Sequence, residues 1–434
     1  MSEITQHLPR SVHRDDTGER LLDRLARRAL FGQLRRLHDG EVVLVDRGRA
    51  HRFGQRTAHC PISVTLYVSD PRFYSEAVFG GTIGVGEAYM AGYWHSDDLT
   101  SLVQVMAHNL DVSDGMERGL GAVAMPARKL LHWLNRNTRS GSRRNIAAHY
   151  DLGNEFFGLM LDETMMYSCA IFEEPAMDLA AAQRFRLERI CRKLDLQPTD
   201  HLLEIGTGWG GLALHAARHF GCRVTTTTIS REQYEYARRR IAEAGLEDRV
   251  TVLLEDYRNL TGRYDKLVSI EMIEAVGHEY FDAYFRKCAS LLEPGGLMLI
   301  QAITIADRRY EQAKRSVDFI QRYIFPGGCL PSVTAMLGSI AAHTDLRLDA
   351  LEEIGGHYAR TLRLWRRNVA DNLDRIRDMG YSDAFLRMWE YYLCYCEGGF
   401  LARTIGTVHM RLSKPGTGAG GGVPRAFETR GKAR

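Results

Sequence analysis

LLEIGTGWGG, residues 202–211, sets an apolar run directly before glycines at 206, 208 and 210. The run reads as a buried strand, and the glycines let the backbone turn sharply and approach a ligand at the N-terminus of the next helix, GLALHAARHF. The same alternation recurs outward from this point. CRVTTTTIS precedes REQYEYARRRIAEAG, RVTVLLED precedes a loop, DKLVSIEM precedes HEYFDAYFRKCASLL, and GLMLIQAITI precedes a long stretch. Successive strand and helix units predict an α/β fold, a Rossmann-like parallel sheet with helices on both faces.

Gly206, Gly208 and Gly211 also satisfy GxGxxG, a weak match to dinucleotide-binding folds. Those folds place an acid on the ribose about 20 residues further on. Here the second strand tip is Thr225, Thr226, Thr227 and Thr228. Glu204, two residues before the first glycine, is followed by GxGxG, the pattern of the S-adenosylmethionine loop in class I methyltransferases. Dinucleotide binding and a purely structural turn remain the alternatives.

The 434-residue chain exceeds one ordinary core, which predicts two domains. Its 45% hydrophobic and 26% charged residues are normal globular composition. No run of about 18 apolar residues offers a membrane span. The N-terminus lacks a secretory apolar core, and the eight cysteines are irregularly spaced, pointing to a reducing cytoplasm and no structural zinc. A net charge of +3 gives no case for nucleic acid, but arginines crowd residues 10–52. Within ERLLDRLARRALFGQLRR, Leu21, Leu22, Leu25, Ala29 and Leu34 fall near one helical face, which predicts an amphipathic helix. A second basic run, RKLLHWLNRNTRSGSRR, spans 128–144. Solvated helix faces are the plain reading of both runs, and weak attraction to an anionic membrane surface is the other. The expected organisation is a small α+β unit over 1–110, a linker with a basic helix over 111–144, a catalytic domain over 145–413 and a disordered tail over 414–434. Residues 306–345 and 357–400, largely helical and aromatic, exceed what a crossover needs and are expected to cover the substrate.

VSIEMIEAVGH, residues 268–278, poses a separate problem. A carboxylate at the end of an apolar strand costs several kcal/mol to bury unless something pairs with it, and two are present, Glu271 and Glu274. This block, the glycine loop, GVGEAYMAGYW (84–94), NIAAHYDLGNEFF (145–157), MMYSCAIF (165–172), TISREQ (228–233), EDYRNL (255–260), YIFPGGCLPS (323–332), HYARTLRLW (357–365) and YYLCYCEGGF (391–400) occur in order. Together they resemble the cyclopropane-fatty-acyl-phospholipid synthases and their mycolic-acid relatives, from about residue 80 to 412. The resemblance implies a class I methyltransferase sheet with helical substrate-covering insertions, preceded by a small lipid-carrier-like domain.

It also implies the chemistry. A cis alkene of a phospholipid acyl chain attacks the sulfonium methyl, and the resulting carbocation closes to a cyclopropane when the transferred methyl loses a proton. In the family a bound bicarbonate ion is the base. Its holders correspond here to Cys169, Glu274, Gln301, Tyr358 and the backbone of Ile303, with Cys396 as a further catalytic candidate that could simply line the pocket. Taken singly, Cys169 reads as a small buried residue, Tyr358 as a core aromatic and Gln301 as a strand-end cap. Glu271 is expected to be a local backbone partner with no catalytic role. Gln301 stands where the best-known members have histidine. It can hold an ion but cannot titrate, and some relatives with glutamine make methylene- or methyl-branched chains instead. For S-adenosylmethionine the matches are Tyr167 and Ser168 at the methionine end, the loop with Glu204, Gly206, Gly208 and Gly210, Thr228 and Gln233 at the ribose, and Asp256 and Tyr257 near the adenine. The expected partners are unsaturated phospholipids at the inner face of a membrane, with a homodimer left open. An amine N-methyltransferase and a catalytically silent lipid-binding protein are the rival readings.

Overall fold

The computed structural model describes residues 20–118 and 153–416. The basic run 128–144, most of NIAAHYDLGNEFF and the tail beyond 416 lie outside the described residues. The N-terminal unit is built on β1 (Gly40–Asp46), β2 (Arg49–Gln55), β3 (Ser63–Val68) and β4 (Trp94–Ser96), in the order β2-β1-β3-β4. Alternation along β1 buries Val42 and Leu44. Helices Leu21–Leu34, Arg72–Met90 and Leu99–His108 pack around this sheet.

The amphipathic helix is there, but its buried face is not the predicted one. Leu21, Leu22 and Leu25 are 66%, 49% and 53% exposed, while Ala26, Leu30 and Leu34 face the core. The inward row keeps an i, i+4, i+8 spacing free of long cations. Beside it Arg27 turns to Asp46 (3.1 Å) and lies over the Phe31 ring. The leucines outside this row are left in solvent among Arg20, Arg24 and Arg28.

The catalytic sheet has seven strands. β5 (His201–Ile205), β6 (Arg223–Thr228), β7 (Val250–Leu254), β8 (Tyr264–Ile270) and β9 (Leu292–Ile305) are mutually parallel, as the sequence alternation predicts. Two further strands, β10 (Arg347–Glu353) and β11 (Ile405–Ser413), were not anticipated. They extend the sheet antiparallel beyond β9, giving the order β10-β11-β9-β8-β5-β6-β7. Sequence positions 306–345 and 357–400 are helical as expected, in Asp307–Ala313, Phe319–Tyr323, Val333–His343, Gly356–Asp371, Leu373–Asp378 and Asp383–Leu401.

The two units share a core. One continuous set of buried apolar side chains runs from Ala26, Leu44 and Trp94 to Trp365, Tyr391 and Phe400. Polar bonds cross the same seam: the Tyr89 hydroxyl donates to Glu390 (2.9 Å) and the Thr100 hydroxyl to Glu397 (3.1 Å). Leu30→Ala should therefore lower unfolding free energy by about 2–5 kcal/mol, whereas Leu21→Ser should change it by less than about 0.5 kcal/mol. Chemical denaturation measures both, and equal losses would contradict the orientation of this helix.

Candidate active site

The chain leaves β5 through Gly206, Gly208 and Gly210, whose φ angles are +104°, +52° and +85°. Side-chain-bearing residues rarely adopt such angles. The amides of Gly206 and Thr207 both donate to the Thr227 carbonyl at 3.0 Å, tying the turn to the tip of β6. Beneath the turn the Thr226 hydroxyl donates to Glu204 (2.6 Å) and lies 2.7 Å from the Thr207 hydroxyl. Burial pushes the Glu204 carboxyl up to about 8, against the pull of the Thr226 bond. Glu204 and Gly210, both expected at the cofactor, are not on the cavity wall. Glu204 braces the loop from below, and Gly210 caps the helix Gly211–Phe220.

The loop opens onto a cavity of about 740 Å³. Tyr167, Ser168, Gly206, Gly208, Thr228, Gln233, Asp256 and Tyr257 all reach its wall, so these expected cofactor residues are brought together. Three features suit a cofactor with polar ends. A Cβ on Gly208 would meet nothing within 4 Å. The buried Ser168 hydroxyl has no hydrogen-bond partner among the described residues. The Thr228 hydroxyl donates to Gln233 Oε1 (2.8 Å), which leaves the Gln233 amide nitrogen as the donor for a ribose.

At the other end of the cavity wall the two glutamates separate. Glu271 closes β8 at φ +46°, an unfavourable angle for a residue other than glycine. Its Oε2 accepts from the Tyr358 hydroxyl (2.5 Å), and its Oε1 accepts from Gln301 Nε2 (2.6 Å) and the Cys169 amide (2.9 Å). Glu274, the residue expected at the base, instead accepts from the Ile303 amide (2.5 Å) through one oxygen, and its other oxygen is buried without a partner among the described residues. Cys169 points its thiol at the carbonyls of Ala170 (3.2 Å) and Ile354 (3.8 Å). The expected bicarbonate therefore does not fit: the Tyr358 and Gln301 donors, and the Ile303 amide, already serve carboxylates of the chain. A further anion would add repulsion from the neighbouring Glu271 carboxylate. Glu271, expected to have no catalytic role, occupies the centre of the cage.

The charges follow from burial. Burial first, and the neighbouring Glu271 second, push Glu274 up to about 8. Glu271 is also raised by burial, but bonds from Tyr358, Cys169 and Gln301 and the charge of Arg186 oppose that shift. The three donors on Glu271 thus favour its charged form, whereas Glu274, with one donor and a carboxyl raised to about 8, is held towards its protonated form. Burial drives the thiols of Cys169 and Cys396 upward, so neither is a thiolate. Cys396 does line the cavity. The balancing cation is Arg186, fully buried, whose Nη1 donates to Gln301 Oε1 (3.2 Å) and whose Nε and Nη2 hold Gln183 (3.0 and 2.8 Å). Sequence reasoning missed Arg186 and Gln183. Their i, i+3 spacing in AAQRFRLERICRK was the available signal, but the arginines around them hide it.

A Rossmann-like sheet whose first strand ends in this glycine cradle defines an S-adenosylmethionine-dependent methyltransferase of class I. The chain belongs to the mycolic acid cyclopropane synthetase family, whose model matches residues 137–410. It is 42% identical over 354 residues to the tuberculostearic acid methyltransferase UfaA1 of Mycobacterium tuberculosis, covering 77% of this chain and 80% of that one. It is 37% identical over 343 residues to the cyclopropane-fatty-acyl-phospholipid synthase of Escherichia coli, covering 78% and 85%. Among solved structures, the mycolic acid cyclopropane synthase CmaA1 complexed with SAH and CTAB superposes with a TM-score of 0.59 at 30% identity, covering 63% of this chain and 98% of that one. The protein is a C-methyltransferase of the cyclopropane synthase type, with S-adenosylmethionine as its methyl donor. Gly208→Ala should lower affinity for S-adenosylhomocysteine at least about tenfold, because the added methyl enters the cradle and the turn carries about 1–2 kcal/mol of backbone strain. Isothermal calorimetry measures it, and unchanged affinity would remove the loop from the cofactor site.

Proposed function

We propose that this enzyme methylates the cis double bond of an unsaturated acyl chain carried on a phospholipid, and that Glu271 removes the proton that ends the reaction. The arrangement of Tyr358, Gln301 and the Cys169 amide around Glu271 carries this reading. S-adenosylmethionine supplies an electrophilic methyl, to which the alkene π electrons form the new carbon–carbon bond, leaving a carbocation on the chain. Apolar residues of the wall, among them Val85, Leu102 and Met106, keep water from that cation. The rings of Tyr167 and Tyr392 present π density to it, their hydroxyls bonded to each other at 2.8 Å. Glu271 takes a proton from the transferred methyl, so the chain gains CH2 in total.

Two isomeric products satisfy that balance: a cyclopropane, or a methylene branch formed after a hydride shift. The methylene branch is favoured by Glu271 and Gln301 acting as a fixed pair, and by the likeness to the tuberculostearic acid methyltransferase. A saturated methyl branch would need a hydride donor in addition. Ring closure is supported by the likeness to the cyclopropane-fatty-acyl-phospholipid synthase. Exposed Leu21, Leu22 and Leu25 beside Arg24 and Arg28 support meeting the lipid at an anionic surface.

Expression in a host making oleoyl phospholipids, followed by mass spectrometry with chain fragmentation, tests the activity. A mass gain of one CH2 at the double bond is expected, and unaltered acyl chains would refute it. Glu271→Gln should cut turnover by about 10²–10⁴-fold while leaving S-adenosylhomocysteine binding nearly intact. Glu271→Gly removes the strained side chain and frees its three donors, so activity should return on adding bicarbonate; a variant indifferent to bicarbonate would count against the cage. Because burial raises the Glu271 pKa and the base must be ionised, turnover should be full above that raised value. It should fall as pH drops through it, at a higher pH than an ordinary carboxylate would give.

A further inference from the structure

Gln301 donates to Glu271, and behind Gln301 lies a row of buried side chains that the reaction has not yet used. Their donor directions are forced. An ammonium only donates, so Lys193 Nζ, 2.6 Å from His409 Nδ1, makes that nitrogen an acceptor. The proton of neutral His409 is then on Nε2, which donates to Gln301 Oε1 at 2.8 Å. Arg186 donates to the same oxygen at 3.2 Å. With its carbonyl gripped by two donors, the Gln301 amide turns its NH2 to Glu271 Oε1. The flipped amide would set NH2 against two donors and a carbonyl oxygen against a carboxylate.

We propose that His409, oriented by Lys193, is a positioning residue that clamps Gln301 and so holds Glu271 ionised and aimed for proton removal. This rests on the reading of Glu271 as the base. The clamp lies outside the cavity lining, on β11 and at the end of the helix Leu179–Lys193. His409 is fully buried, and burial followed by the charge of Lys193 keeps it neutral. Lys193 is faced by Glu352 of β10, by His409 and Arg411 of β11 and by Arg189 of its own helix. Burial lowers the Lys193 pKa to about 8, with Glu352 opposing. Below that pH Lys193 is charged and the clamp is closed. Above it the neutral Lys193 amine can accept a hydrogen bond from Nδ1–H, which lets His409 take the other tautomer, whose bare Nε2 no longer donates to Gln301.

The full-length protein, oleoyl phospholipid vesicles and S-adenosylmethionine provide the assay, with kcat and KM measured against pH. The protonated-carboxyl infrared band of Glu271, identified by subtracting Glu271→Gln, is titrated in parallel. His409→Leu should lower kcat about 10- to 100-fold with KM nearly unchanged, and its carboxyl band should appear at higher pH than in the wild type. His409→Gln, which keeps a donor near Gln301, should recover most of the loss. Lys193→Met should abolish the alkaline limb expected near pH 8. Wild-type kcat in His409→Leu together with an unmoved carboxyl band overturns the proposal. Where His409→Leu does not fold, an unchanged alkaline limb in Lys193→Met overturns it. A wild-type enzyme that methylates no lipid would refute the function proposed above, while the infrared titration still decides the clamp: a shifted band supports it and an unmoved band refutes it.

Discussion

A carboxylate drawn into a largely apolar cavity wall has to be offset by its neighbours, and Glu271 sets the terms for everything around it. Its backbone sits at φ +46°, a conformation that costs about 1–3 kcal/mol for a residue with a Cβ. It persists because the position is fixed twice. The Glu271 amide donates to the Gln301 carbonyl (2.8 Å), continuing the pairing of β8 with β9, and the Gln301 side chain grips the carboxylate. The sheet thus delivers both partners of the contact from adjacent strand ends.

Charge balance explains the second layer. An ionised Glu271 in the interior would be strongly destabilising unless a cation were buried with it. Arg186 supplies that cation one amide away, and Gln301 transmits it by accepting from Arg186 and donating to Glu271. Burial and the neighbouring Glu271 hold the Glu274 carboxyl up at about 8, which favours its protonated form at neutral pH. In the proposed reaction Arg186 balances Glu271 while Glu274 is held towards its protonated form, and the carbocation would meet one fixed carboxylate.

The parallel half of the sheet was legible because β5, β6, β8 and β9 are buried runs punctuated by glycine and followed by helical periodicity. β10 was not, since RLDALEE is mostly exposed and lies at a sheet edge, where pairing with β11 rather than side-chain burial defines the strand. The helix Leu21–Leu34 was legible as a helix but not in its rotation: it carries apolar residues on two faces, and only tertiary packing chooses between them. At the site, Tyr167, Ser168 and Tyr358, which the motifs had grouped, line one cavity wall with Gln301 bonded to Glu271 behind it. Which donors Glu271 and Glu274 would each meet was not legible, because it depends on which side chain reaches across to β9 and the helix Gly356–Asp371. That is a property of geometry at positive φ, with no counterpart in residue type.

The N-terminal unit has a share in the chemistry that its distance in sequence conceals. Val85, Leu99, Leu102 and Met106 line the same cavity as the glycine loop. The seam that places them there is tight. A Cβ on Gly86 would come within 2.4 Å of the Phe319 ring, and one on Gly398 within 2.7 Å of Val103. Close approach of this kind leaves no room for the helices to slide, so the apolar wall is preformed. In the proposed reaction preformation matters more than in most methyl transfers, since a carbocation exposed to water would be captured before a carboxylate could take its proton. Removing the N-terminal unit would expose that wall, and with it the cation that Glu271 is proposed to meet.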